Sequence, residues 1–136
     1  MADLPDGAED NEQIAGQIRL LRRVPENRVH NGEIEKTNFD ERETGHGLSV
    51  TVWDSPQDLI DVLRGHENFG VVCVDAGAFR AEEAKIVPIP LEGNPNHCEI
   101  FPRLGPKAQR RIKLASRWVH YAEWVLPEHR AEIEVF

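Results

Sequence analysis

The side chains best equipped for chemistry gather in Ile86 to Phe101, IVPIPLEGNPNHCEIF, whose loop ends in Asn94, Pro95, Asn96, His97, Cys98 and Glu99. Along an extended strand successive side chains alternate, so His97 and Glu99 share one face and Cys98 turns to the other. An imidazole beside a carboxylate can exchange protons near neutral pH, with His97 as acid or base and Glu99 as its partner or charge stabiliser. Cys98 is expected in the core. Turn chemistry competes with this reading. Gly, Asn and Pro are what tight turns recruit, and Asn96 and His97 would then bond local backbone while Glu99 stays solvated.

A second cluster is Gly45-His46-Gly47 leading to Ser49. Flanking glycines let backbone approach a phosphate or nucleotide closely and leave the imidazole uncrowded. The spacing matches neither the Walker loop nor the dinucleotide fingerprint, and a loop joining a polar segment to a strand accounts for it equally. Ser49 and Ser55 lack the context of an activated serine, and Cys73 lies in an apolar run that makes an inert thiol. No metal site is expected: CxxC and close paired ligands are absent, and His46 and His97 come nearest to ligands.

The order Arg22 or Arg23, then Ser49, then Glu99 resembles the Arg-Ser-Glu pattern of ADP-ribosyltransferases. It does so by order alone, for Val50-Thr51 follow Ser49 and neither Ser-Thr-Ser nor Glu-x-Glu is present. The resemblance implies that arginine and serine hold NAD and that the glutamate stabilises an oxocarbenium-like transition state. Apart from it, no cofactor is expected.

These residues need elements to position them, and 136 residues with 40% hydrophobic content suit one compact domain. Residues 1–12, MADLPDGAEDNE, carry little to bury and read as a disordered acidic tail, with a single domain over 13–136. Strands are expected at Ile18 to Val24, Leu48 to Trp53, Phe69 to Val74, Ile86 to Leu91 and His97 to Phe101, with a last one at Ile133 to Phe136. The prolines at 88 and 90 favour an edge for Ile86 to Leu91. Ser55-Pro56-Gln57-Asp58 opens a helix whose Leu59, Ile60 and Leu63 face inward. A short helix is read over Asp75 to Ala84. Between strands, the polar stretch Glu26 to Gly47 has an Asn31-Gly32 turn and only Val29, Ile34 and Phe39 to anchor it.

Apolar spacing over Lys107 to about Leu126 predicts a long C-terminal helix. Its outer face would gather Arg110, Lys113, Arg117 and His120 beside Trp124, a surface for phosphate or nucleic acid or else an ordinary solvated face. The fold class is α+β: one mixed or antiparallel sheet of about four to six strands packed by that helix.

The net charge of −8 belongs to the first half, where residues 1–68 hold fifteen acidic and seven basic side chains, against nine of each in 69–136. Such a balance opposes whole-surface attraction to nucleic acid or anionic lipid. No apolar run approaches the ~18 residues of a membrane helix. With two cysteines in strand-like runs and no secretory pattern, a soluble cytoplasmic protein is expected. The function these features support is a small binding or accessory domain acting on a protein partner or on copies of itself, through segment 26–47 and loop 92–99. The alternative is an enzyme acting on a nucleotide or nucleic acid, using His97 and Glu99 with Arg22, Arg23, His46, Ser49, Asn94 and Asn96 as ligand contacts.

Overall fold

The computed structural model describes residues 9–40 and 47–125. Its strands are β1 Arg19–Val24, β2 Val29–His30, β3 Glu33–Ile34, β4 Leu48–Val52, β5 Gly70–Asp75, β6 Lys85–Pro88, β7 His97–Phe101 and β8 Arg117–His120. The helices are α1 Pro56–Leu63, α2 Ala76–Arg80 and α3 Pro106–Ala115. Six strands form one antiparallel sheet in the order β6-β7-β4-β1-β5-β8, and β2 and β3 form a separate hairpin. Among the described residues no helix is long and apolar enough to cross a membrane.

Both faces of the sheet are covered, which is why Leu20 and Leu21 are both buried despite pointing opposite ways. On the larger side Leu20, Val50, Val74, Cys98 and Ile100 pack with Phe39, Phe79 and Ile112 from the covering segments. On the smaller side Leu21, Val71, Cys73 and Val119 meet Trp53 and Val62, with Leu59 and Leu63 of α1 packed against them. Ile60, expected inside, is 56% exposed. Val62 takes the inward place, because the sheet lies against the 59-62-63 side of this two-turn helix.

The thiols follow from this packing. Cys73 and Cys98 are free and buried. Burial pushes the Cys98 thiol up to about 11, and it raises Cys73 against the lowering influence of Arg117 and Arg19. Since the thiolate is the reactive form, both should resist iodoacetamide at pH 8 while folded and label fully in denaturant. Mass spectrometry showing rapid native labelling of either cysteine would contradict the packing.

The long helix expected over 107–126 is not there: α3 ends at Ala115. Ser116 closes it, with both its backbone N–H and its hydroxyl donating to the Lys113 carbonyl at 3.1 and 2.6 Å. The chain then turns extended and pairs with β5, Val72 facing Trp118 and Cys73 facing Arg117. Gly70 makes room, since a Cβ there would lie 2.5 Å from the Trp118 ring. Helical spacing lost to a strand partner that local periodicity does not reveal.

Two other expectations hold, the edge strand and the anchors of the polar segment. β6 is an edge strand. Ile34 and Phe39 anchor the polar segment in the core, with Val29 packed beside them. Asp10 and Asn11, read as tail, are held in place: Asp10 pairs with Arg80 at 2.5 Å and accepts the Ile86 N–H at 2.7 Å, while the Asn11 N–H donates to the Ile86 carbonyl. Residues 1–8, His46 and the expected strand at 133–136 lie outside the described residues.

Candidate functional site

β4 and β7 pair antiparallel with Ser49 opposite Glu99 and Thr51 opposite His97. Directly opposed residues share a face. Ser49, Thr51, His97 and Glu99 therefore stand together on the side that α1 partly covers, while Cys98, opposite Val50, enters the larger core. The alternation read from the sequence is correct.

What these groups do is another matter. His97 is 7% exposed and its Nδ1–H donates to the Ile89 carbonyl at 2.8 Å. Glu99 is 8% exposed, not solvated, and its Oε1 accepts the Gly47 N–H at 2.8 Å. A Cβ on Gly47 would lie 2.6 Å from the Ile100 carbonyl, so this glycine permits a close approach that the glutamate then fastens.

The loop asparagines are also engaged internally. The Asn94 amide donates to the Thr51 hydroxyl at 3.1 Å, and the Asn96 amide donates to Asp58 Oδ1 at 2.8 Å. Asp58 is buried at the start of α1, where its Oδ2 accepts the N–H groups of Asp54 and Ser55, each at 2.9 Å. Arg64, just past the other end of α1, donates to the Gly93 carbonyl at 2.7 Å. Loop 92–96 is thus clamped to both ends of one helix.

The arginines diverge. Arg22 donates through Nε to the Asn38 carbonyl at 2.9 Å and through Nη1 to the Ser49 carbonyl at 3.0 Å, tying the 36–39 turn to β4. Arg23 donates to the Val62 carbonyl at 3.1 Å near the negative end of α1 and lies 3.3 Å from His66 Nδ1. Arg22, Arg23, Ser49, Thr51, Asn94 and His97 do line one cleft, with Leu21, Val50 and Val62 in its wall. Its volume is about 20 Å³, room for about one water molecule.

Arg110 and Lys113 stand on α3 but Arg117 and His120 belong to β8, so the expected basic helical face is split. Trp124 is turned away from it, its indole N–H donating to the Asn68 carbonyl at 2.6 Å. Burial lowers the pKa of His120.

One cluster escaped the sequence reading. In the β2–β3 hairpin His30 Nε2 meets Glu35 Oε1, while Glu35 Oε2 accepts from Arg28 at 3.3 Å and from the Thr37 hydroxyl at 3.0 Å. His30, then Thr37 and Arg28, hold the Glu35 carboxyl below its usual value despite some opposing desolvation. Any stabilisation from Glu35 is therefore present above the ordinary glutamate range and lost as pH falls through its lowered pKa. The signal was readable: Asn31 and Gly32, at φ 52° and 80°, make the positive-φ turn their residue types favour, and a hairpin there folds Glu35 back toward Arg28 and His30. The group is a part-exposed ion-pair cluster on a small hairpin, and it explains how the hairpin is braced.

Among the described residues no group of three or more His, Cys, Asp or Glu side chains is placed to hold a metal ion. No family model, curated protein or solved structure matches the chain.

Proposed function

We propose that this chain is a small soluble, cytoplasmic binding or accessory domain that acts through contacts with another protein. The observation that carries the reading is the size of the cleft beside His97 and Ser49, about 20 Å³, against the roughly 300 Å³ or more of small-molecule sites. The polar groups around it support the same reading, because Glu99, Asn94, Asn96 and Arg22 spend their hydrogen bonds on backbone and neighbouring side chains. Large apolar side chains are meanwhile offered outside: Ile60, Leu91 and Leu114 are all exposed.

One observation favours the enzyme reading. Ser49, His97 and Glu99 share a face, the arrangement that NAD or nucleotide chemistry at these residues would require. The two readings separate in a single set of measurements. Purified chain is incubated with NAD, nucleoside triphosphates and RNA while product is followed by chromatography, and backbone amides are followed by NMR. The binding-domain reading expects no turnover and no shift of the Ser49, His97 or Glu99 amides at millimolar nucleotide. Turnover that His97→Ala or Glu99→Gln abolishes in a folded variant would overturn it.

A further inference from the structure

α3 carries Lys107, Arg110, Arg111 and Lys113 and no acidic residue, in a chain whose net charge is −8. Gln109 and Ile112 are its buried positions. At ~100° per residue, Lys107, Arg110 and Leu114 fall on the arc opposite them. Leu114 is 73% exposed near the centre of that arc, toward the C-terminal end of the helix. Arg111 flanks the arc and is fixed by a two-pronged pairing with Glu82, both contacts 2.6 Å. Lys107 and Arg110 have no ion-pair partner among the described residues.

We infer that this face of α3 docks an acidic peptide segment of a partner protein, seating one apolar residue of the segment on Leu114 and acidic residues on Arg110 and Lys107, about one and two turns before it. The inference rests on the protein-binding reading and names the surface and the chemistry of the partner. Charge complementarity selects an anionic occupant. The leucine selects a peptide over a phosphate backbone, because an apolar anchor in line with cations matches a side chain in an acidic segment and has no counterpart on phosphates.

The test uses the full chain against a displayed library of peptides about twelve residues long, rich in Asp and Glu with a few randomised apolar positions, about one turn of helix apart where helical. Enriched peptides are synthesised and titrated by fluorescence anisotropy and by amide NMR. The expected result is enrichment of Leu, Ile or Phe flanked by acids, with shifts confined to α3 and its borders. Lys107→Glu combined with Arg110→Glu should weaken binding at least about tenfold, as charge reversal at an interface does. Leu114→Ser should weaken it by about five- to tenfold, in line with losing one apolar anchor. All three residues are exposed, and urea melts would confirm that the variants stay folded. Absence of α3 shifts across the enriched peptides, charge-reversal variants of unchanged affinity, tighter binding of a single-stranded RNA or DNA 20-mer, or self-association abolished by Leu114→Ser would each overturn the inference. Selected peptides that shift amides around Ile60 or Leu91 instead would overturn the α3 assignment while leaving the protein-binding reading standing.

Discussion

Asp58→Ala should lower the unfolding free energy by about 3 kcal/mol, combining the loss of a helix-start acceptor with the burial of donors left unpaired. Three N–H groups converge on this carboxylate: the backbones of Asp54 and Ser55 on one oxygen and the Asn96 amide on the other. Removing it releases the start of α1 and the 92–96 loop together, so the effect exceeds that of an ordinary cap. Asp58→Asn should cost far less, about 1 kcal/mol, because a carbonyl oxygen can still accept the backbone donors and the Asn96 amide can reverse to accept from the new NH₂. Urea denaturation at constant m reads both. A double-mutant cycle with Asn96→Ala should return a coupling of about 1 kcal/mol. If Asp58→Ala and Asp58→Asn prove equal, the carboxylate is not the joint between helix and loop.

Gly47→Ala should cost a comparable amount, about 3 kcal/mol, by overpacking. The added Cβ would stand 2.6 Å from the Ile100 carbonyl, 2.9 Å from the Glu99 Cβ and 3.0 Å from the Phe101 ring. Two of those neighbours belong to the β7 backbone or its first side-chain atom, which cannot swing away without parting β7 from β4. Gly65→Ala is the control: nothing lies within 4 Å of its added Cβ, but its φ of +75° carries a backbone penalty of about 1 kcal/mol. Thermal or urea melts that rank the two variants the other way would show that β4 yields at its start. The same joint bears on Glu99. Glu99→Gln keeps an acceptor for the Gly47 N–H and should barely move stability, whereas Glu99→Ala buries that N–H unpaired and should cost about 1–3 kcal/mol. This separation makes Glu99→Gln a fair probe of catalysis, since a loss of activity in it cannot be ascribed to unfolding.

The feature first singled out in the sequence was a histidine and a glutamate on one strand face after an asparagine-rich turn. Its geometry was legible because strand alternation is a local property: His97 to Phe101 has period two wherever it is placed. Its use was not legible. The Gly47 N–H that occupies Glu99 is 52 positions away in the chain, and the Ile89 carbonyl that fixes His97 faces it only because β6 and β7 pair. The asparagines likewise find Thr51 and Asp58 across the sheet and on α1, beyond any pattern that spacing could carry.

Legible from residue order alone were the α+β class, five of the six main-sheet strands, the helix opened by Ser55-Pro56, the edge position of the proline-bearing strand and the burial of both thiols. Each of these depends on short-range periodicity, turn chemistry or composition, which act within a few residues. That the chain beyond Ser116 leaves the helix to extend the sheet emerges in the folded chain alone, since helical and extended patterns overlap in LASRWVHYA and the β5 edge beside Gly70 settles between them. That choice also divided the basic residues, leaving Lys107 and Arg110 on a short helix around an exposed leucine and moving Arg117 to a strand. Local physics chose the elements, and long-range pairing chose which side chains stayed at the surface.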